Sequence, residues 1–534
     1  MTYRYIVVAA IIFSTGLAGC KKNWEDTKPN GLISSAYLWT GEENLKKGIA
    51  AIYANLGHES TFGRDFFYMQ NASDDVITGR PKADADNMKN FIPTGREGYM
   101  TVGWGLLYWV IDKANEAIKN VPTATNVSEE LKKRSLGEAY FIRAFAHFWL
   151  AYSWGHKNQG VPFQGVEDPG YRKELPPQLP SVIDNYARVI SDLEKAAELL
   201  PFFETYEAAD MGRAHKAAAW AYMVKTYAYW AQYDASKWAL IPGLCDKIKT
   251  EGHRALITGK ATLADNYKAV FTIENNWSSE YIWSITGSDA IYAGGSIFPG
   301  VVMELYGWNI YTGWGYFQPT EELYEEYEMG DPRREVTILK FGDDFKFFGV
   351  NRKYFSTNSR SGFQINKYME PYGYGTGGEA QTNPRISNNS NGPTTGLSLP
   401  LIRYAEILLF KAEALIQQGK NAEAAAPLNE LRVRVGLAPV TSPTMNDLKH
   451  ERRVELACEW TDRLADLKRW GDFDKIRSPL HGRIHTNKTD PASPYTIQEV
   501  WPSRNFDPAK HMAWPLNPDE ISRSNGVYKQ TPGW

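Results

Sequence analysis

Two stretches of this chain combine flat aromatic rings with side chains that can grip hydroxyl groups. One runs from Asp74 to Trp104 and holds Asp75, Arg80, Arg96 and Tyr99; the other runs from Trp277 to Phe317 and holds Trp283, Tyr292, Trp308, Tyr311 and Trp314. Such a mixture suits polyhydroxylated rings. A pyranose has an apolar face of C–H groups, which an indole or phenol covers because its negative π-face attracts slightly positive hydrogens while apolar area leaves water. Carboxylates, amides and guanidiniums then pair with the rim hydroxyls, and planar groups fix the orientation. The candidate contacts are Trp308, Tyr311, Trp314, Trp283, Tyr292, Asp75, Arg80 and Tyr99. Gly307, Gly313 and Gly315 point to an exposed loop, which places Trp308, Tyr311 and Trp314 first. For each aromatic named, packing in the core is the competing role.

Bond-breaking chemistry has less support. A glycosidase sets two carboxylates about 5–9.5 Å apart across a cleft. The adjacent pairs Asp74-Asp75 and Glu325-Glu326 do not define one, because neighbours along a chain point apart. G-x-S-x-G, Walker and H-E-x-x-H patterns are missing. His481 and His485 stand four apart, but Gly482 and Pro479 argue against a metal-binding helix there. No cofactor is expected. Asp74-Asp75 with Asp84 and Asp86 could hold calcium through oxygen ligands, the plainer alternative being solvated turn residues.

The amino terminus has one further reactive position. Arg4, an apolar run from Ile6 to Phe13 and small residues up to Gly19 have the form of a secretory signal, 1–19. The run is too short to span a hydrocarbon core of about 30 Å. Leu17-Ala18-Gly19-Cys20 has the lipobox form in which the cysteine becomes acylated, and each buried methylene contributes about 0.8 kcal/mol of membrane affinity. An ordinary signal peptide with a chance cysteine is the alternative. Cys245 and Cys458 remain, too few for a disulfide framework; Cys458 reads as a small core residue, with a bridge between the two as the alternative. A net charge of −3 offers no basic surface for nucleic acid.

The elements that must carry these residues are mostly helices. Amphipathic periodicity predicts helices over 41–56, 101–120, 129–154, 181–200, 212–233, 401–418, 421–435 and 445–470. Thr40-Gly41-Glu42-Glu43 has capping-box form, and Pro122, Pro201, Pro242 and Gly436 stand where helices should stop. Small residues recur where paired helices would pack closely: Ala139, Ala144 and Ala146; Ala217 to Ala219 and Ala221; Ala412 and Ala414. The fold class is mostly α, with tetratricopeptide-like helix pairs, a loop-rich subdomain and few short strands. The expected organisation is signal 1–19, lipidated tether 20–40, helical scaffold 41–259, loop-rich ligand-binding insertion 260–400, continued scaffold 401–474 and an irregular segment 475–534.

Several segments together resemble one family. Gly137-Glu138-Ala139-Tyr140-Phe141-Ile142-Arg143-Ala144-Phe145, running on to Gly160-Val161-Pro162, is similar to the first hallmark of the SusD/RagB family. Pro319-Thr320-Glu321-Glu322-Leu323, leading to Glu328 and Asp331-Pro332-Arg333-Arg334, resembles its middle motif. Leu401 to Leu409 with Ala412-Glu413-Ala414 and Leu428-Asn429-Glu430-Leu431-Arg432 looks like the third, and Glu451 to Leu456 through Asp466 to Gly471 like the fourth. The ending Trp514-Pro515-Leu516-Asn517-Pro518-Asp519-Glu520-Ile521 is also typical. The resemblance implies a non-catalytic, lipid-anchored outer-membrane protein on the cell surface. Such a protein binds oligosaccharide or polysaccharide and passes it to a SusC-like TonB-dependent transporter, with ligand contacts in loops from the two stretches above. The alternative is an inward-facing helical lipoprotein that binds protein partners.

The hallmark charges themselves have structural readings. Arg143 and His147 lie four apart on a helix apolar almost all round, so both should be buried and the arginine ion-paired. In 451–470, the spacing of Glu459 with Arg463 and of Asp462 with Asp466 predicts a laced helix surface.

Overall fold

The computed structural model describes residues 38–287, 315–347, 350–355, 358–368, 396–460 and 463–534. Cys20, Tyr292, Trp308, Tyr311 and Trp314 lie outside the described residues, as do Asp462 and the proposed signal and most of the tether.

The scaffold is built from long helices that pack on their sequence neighbours. They are α1 (Glu42–Tyr53), α2 (Arg64–Asn71), α3 (Trp104–Asn120), α4 (Glu129–Trp154), α5 (Val182–Leu199), α6 (Lys216–Trp230) and α7 (Ile241–Thr250). After the loop-rich region come α8 (Tyr404–Gln417), α9 (Asn421–Arg434), α10 (Met445–Leu456) and α11 (Arg463–Trp470). Helix α4 packs on α3 and α5, α5 on α6, α6 on α7, and α8 on both α7 and α9, so the second helical block continues the first. The close-packing positions read from sequence hold: Ala139, Ala144, Ala146, Ala217, Ala218, Ala219, Ala221, Ala412 and Ala414 are all buried. Their small side chains let large rings pack between helices, as where Phe145, Trp149 and Tyr222 meet edge to face.

Among the described residues, ten short strands form five separate antiparallel pairs. The strands are β1 (Val76–Thr78), β2 (Tyr281–Ile285), β3 (Phe317–Pro319), β4 (Ile338–Lys340), β5 (Asp344–Phe347), β6 (Val350–Lys353), β7 (Phe363–Ile365), β8 (Leu399–Arg403), β9 (Leu480–His485) and β10 (Tyr495–Trp501). The pairs are β1 with β3, β2 with β8, β4 with β7, β5 with β6, and β9 with β10. Ile77 of β1, Leu480 of β9 and Trp501 of β10 form a small apolar cluster apart from the main core, while β1, β2, β4, β8 and β9 each contact a helix. The irregular carboxyl segment therefore contains a hairpin, β9–β10, and a short helix, Pro518–Arg523.

Several local expectations change. Thr40 does not cap α1: it bridges to Thr125, Gly41 occupies the cap position with φ +81°, and Glu43 pairs with Lys46. Capping boxes form instead at Ser181–Asp184, Thr262–Asp265 and Thr444–Asp447. Pro242 begins α7 rather than ending α6, a position where its missing N–H costs nothing. Residues 399–403, on which the expected 401–418 helix encroached, are strand β8, because an apolar run buried on all sides looks alike in either conformation. The single helix expected over 445–470 is two. It ends at Leu456, where Ala457 turns extended (ψ 134°) and Cys458 takes φ +61°. Cys245 and Cys458 are both buried free thiols rather than a bridge.

Candidate functional site

The pairing of β1 with β3 joins the two stretches that carry the aromatic and polar mixture. Its register sets Val76 opposite Pro319, Ile77 opposite Gln318 and Thr78 opposite Phe317. One residue beyond, the Gly79 amide donates to the Tyr316 carbonyl at 3.0 Å. A Cβ at Gly79 would stand 2.3 Å from the Gly315 carbonyl oxygen, so only glycine lets the strands meet there. This close approach brings Arg80, which is exposed, to Tyr316, with the guanidinium carbon 5.6 Å from the ring centroid. Arg64 reaches the same ring from α2, also at 5.6 Å, and lies 5.9 Å from the ring of Tyr68.

The surrounding groups hold this rim in place. Arg64 pairs with Glu59 and, at 3.3 Å, with Asp65, whose other oxygen accepts from the Ser60 hydroxyl at 2.7 Å. Burial pushes the Tyr68 phenol up despite the nearby Arg64 charge, so it stays neutral. Arg360 donates from its backbone N–H to the Gln318 side-chain oxygen on β3, and from its guanidinium to the carbonyls of Thr78 on β1 and Val500 on β10. Thr320 follows β3 and donates to the Asp74 carbonyl at 2.9 Å while accepting from the Leu323 amide. Cation–π contacts of this kind contribute roughly 0.5–1 kcal/mol at exposed sites, enough to orient a side chain but not to fold a loop.

Of the described candidates, Arg80 lies at the rim and three others serve the interior. Trp283 is 3% exposed and packs edge-on against Phe141 with centroids 4.8 Å apart. Tyr99 is 1% exposed, stacks on Trp154 at 5.4 Å and shares a hydrogen bond with the Ser153 hydroxyl. For both rings the competing core role is the one observed. Asp75 is neither a ligand contact nor a solvated turn residue: it is buried and accepts from Arg453 Nε at 2.8 Å. Asp74 beside it takes two bonds from Arg463 at 2.9 and 3.1 Å. Burial alone would raise the Asp74 carboxyl, but Arg453 and Arg463 outweigh it and hold it well below the usual carboxylate range. With their oxygens turned to guanidiniums, these two acids are not available to calcium. Arg96, also in the first stretch, is exposed and pairs with Asp519.

Tyr316 and Arg64 are not among the candidate contacts that composition points to. Tyr316 falls inside the second stretch, so its composition carried a signal; Arg64 belongs to neither stretch and reaches the rim only because α2 packs there.

The charges of the third and fourth motifs have a different role, and the laced surface expected for 451–470 is overturned. Glu451, Arg452, Arg453, Glu455, Glu459, Arg463 and Asp466 are all buried. Arg403 donates to Glu455, Glu459 and Glu280 at 2.7–2.8 Å. Arg333 reaches Asp331, Glu451 and Glu455, while Arg434 bonds Glu280 and Glu455. Burial opposes the Glu455 charge, but Arg434, Arg403 and Arg333 together hold its carboxyl far below the ordinary range. Glu459 pairs with Arg403 and Lys367 rather than with Arg463 four residues on. A second cluster joins Arg452 and Arg469 to Glu406, Asp466 and Glu413. Arg143 behaves as expected, 1% exposed and forked onto Asp192 at 2.7 and 2.8 Å and Glu167 at 2.9 and 3.0 Å. His147 is fully buried against Phe163.

Metal-binding arrangements fare no better. Glu328, His450 and Glu451 converge within 4.8 Å, but Arg432 already bridges the two carboxylates at 2.6 and 3.0 Å. His481 and His485 lie on strand β9, the first against Glu322 and the second against the Ser493 carbonyl. Of the adjacent acids at 325 and 326, Glu326 faces Arg453 and His450, while Glu325 faces Arg483. Among the described residues no helix is long and apolar enough to cross a membrane.

Comparisons with known proteins agree with this architecture. Residues 279–534 match the model of the SusD family, and residues 25–228 match a second model described as "Starch-binding associating with outer membrane". A SusD-like protein of Formosa agariphila is 26% identical over 88% of this chain and 92% of its own. A SusD-like protein of Bacteroides ovatus is 23% identical over 92% of this chain and 87% of its own. Among solved structures, a SusD-like protein from Bacteroides fragilis superposes with a TM-score of 0.77 at 22% identity, covering 94% of this chain and 99% of that one. The surface glycan-binding protein A from Bacteroides thetaiotaomicron, solved in complex with laminarihexaose, gives 0.69 at 19% identity, covering 92% and 99%. With both models, the full-length relatives and the shared fold in agreement, this chain belongs to the SusD/RagB family.

Proposed function

We propose that this protein is a non-catalytic glycan-binding lipoprotein, held by acylated Cys20 on the outward face of the outer membrane. It captures oligosaccharide or polysaccharide and delivers it to a SusC-like TonB-dependent transporter. The observation that carries this reading is the β1–β3 pairing, which sets Arg80 and Tyr316 side by side two residues after Trp314. The rings of Trp308, Tyr311, Trp314 and Tyr292 then supply stacking faces, and Arg80 pairs with hydroxyls at the edge. The solved laminarihexaose complex of a protein with this fold supports glycan as the ligand class.

The test is titration calorimetry of the full mature chain against laminarihexaose and a panel of plant, algal and bacterial polysaccharides. Binding of at least one glycan, weakened in a folded W308A/W314A variant, is the expected result; unchanged affinity in that variant sinks the site assignment. Protease treatment of whole cells checks orientation. Cleavage of the intact surface protein is expected, and full protection would favour the inward-facing scaffold instead.

A further inference from the structure

This chain leaves few arginines without a carboxylate. Among those whose side chains are described, Arg80, Arg360 and Arg504 form no ion pair, whereas even exposed arginines elsewhere do, Arg96 with Asp519 and Arg523 with Glu520. The three exceptions gather on one short segment. Arg504 is buried and donates to the carbonyls of Ala72 at 3.0 Å and Ser73 at 2.7 Å, just ahead of β1. Arg360 donates to the Thr78 carbonyl on β1 at 2.9 Å, and Arg80 follows Thr78 by two residues. Two residues of extended chain cover at most about 7 Å, so the anchor of Arg360 and the base of Arg80 share a patch the size of a sugar ring or two.

Both guanidiniums at this edge are exposed and steadied by a ring. Arg80 lies 5.6 Å from the Tyr316 centroid and Arg360 5.4 Å from that of Trp501. Arg360 gives one further bond to the Val500 carbonyl at 3.2 Å, while Arg80 makes no hydrogen bond to a described residue. A guanidinium carries five N–H donors in a planar fork. Arg80 therefore keeps all of its donors, and Arg360 most of them.

The acids nearby do not take up these charges. Glu59 and Asp65 are paired with Arg64. On the helix Ala83–Lys89 that follows Arg80, Asp84 accepts from the Gly98 amide at 3.2 Å, and neither it nor Asp86 pairs with Arg80 or Arg360.

Sugar hydroxyls alone leave such a fork underused, because a hydroxyl oxygen brings no charge. A carboxylate or sulfate accepts two parallel N–H bonds from one fork, and charge-assisted bonds of this kind are roughly twice as strong as neutral ones. A guanidinium is also weakly hydrated, so it gives up water for an oxyanion more easily than an ammonium does.

We infer that the saccharide taken at the β1–β3 rim is acidic, with a carboxylate or sulfate ester on the sugar docking against Arg80 and Arg360. The inference rests on the glycan-binding reading above and names the chemical class of its ligand.

The experiment titrates the full mature chain by calorimetry, at low and at high salt, with hexagalacturonate, a sulfated κ-carrageenan hexasaccharide and neutral laminarihexaose. At least one acidic probe is expected to bind more tightly than laminarihexaose, and salt should weaken that binding because exposed charges are screened. R80Q keeps an amide that still bonds hydroxyls but has no charge. Its affinity for the acidic probe should fall a few-fold and its affinity for neutral sugar should not move, with R80K recovering part of the loss. A melting curve checks that R80Q is folded, as expected of an exposed side chain without a hydrogen-bond partner. R360Q should show the same selective loss; R80Q decides the matter where R360Q, which cuts two strand contacts, melts early. Binding of the uronate alone identifies a carboxylate as the ligand and binding of the carrageenan alone a sulfate ester; both support the inference. Binding confined to neutral glycans, unmoved by salt and by R80Q, overturns it and leaves the proposed function standing. Acidic binding that R80Q leaves unchanged also overturns it, because the anion then sits elsewhere. A wild type that binds neither these probes nor any glycan of the panel overturns this inference together with the proposed function.

Discussion

The charged helices around 451–470 and the rim formed by Arg64, Arg80 and Tyr316 both contain arginines; Arg64 is ion-paired like those of the helices, but Arg80 is used in the opposite way. In the first, guanidiniums are sealed away from water and surrounded by carboxylates from four or more segments. In the second, Arg80 stands exposed beside an aromatic ring. A motif dense in charge therefore marks the framework, and the proposed recognition chemistry lies at a less conspicuous edge. The physical reason is desolvation. A buried ion must have several partners in fixed places, which constrains residue types over a long stretch. The exposed Arg80 guanidinium carries no such requirement, although the Tyr316 ring beside it is buried.

The largest effect that would sharpen this contrast comes from the cluster. Replacing Arg403 with alanine leaves Glu280, Glu455 and Glu459 buried with one partner fewer, and should destabilise the protein by about 3–5 kcal/mol. Urea unfolding measures this; a loss below 1 kcal/mol would break the distinction between framework and rim.

Acid is the second lever. Burial, helped by the Arg254 charge, pushes the His215 imidazole from 6.5 down to about 3, and burial with Lys510 and Lys468 lowers that of His511 to about 4. Burial opposes the Glu326 charge, but His450 and Arg453 bring its carboxyl to about 2. For all three the folded state binds its proton less readily than the unfolded chain. Their contribution is thus complete above pH 6.5 for the histidines and above 4.5 for Glu326, and is lost as pH falls towards 4, 3 and 2. Melting temperature should decline progressively below pH 6.5, and an H215N variant should show a shallower decline.

At the rim the expected effects are on binding rather than folding. W308A/W314A should weaken binding of laminarihexaose, or of whichever panel glycan binds, by about tenfold, the equivalent of roughly 1.4 kcal/mol. The smallest effect belongs to R80A. Removing the exposed Arg80 side chain should lower glycan affinity a few-fold while changing stability by less than about 0.5 kcal/mol. Calorimetry and urea unfolding of the same preparation check both halves, and a large stability loss would make Arg80 part of the framework.

The helical scaffold was legible because its signal is local. The helix Glu129–Trp154 matches the span read from periodicity, and the buried alanines fall where tight pairing needs them. Burial of Arg143 followed from the apolar residues around it on the same helix. Periodicity could not show that Glu459 would turn to Arg403 instead of Arg463, because the break at Ala457 and Cys458 redirects everything after it. Nor could composition show that Trp283 and Tyr99 pack inside. An aromatic side chain suits either place, and only its neighbours decide.

By itself the sequence determined the helix pairs, the small residues between them and the family to which the chain belongs, since each rests on patterns within or between short segments. The tertiary structure alone decided that β1 meets β3 and that Arg64 reaches Tyr316. It also decided that Asp74 and Asp75 serve arginines nearly four hundred positions away. Contacts between distant segments depend on how the whole body closes, and side-chain type alone does not encode that closure.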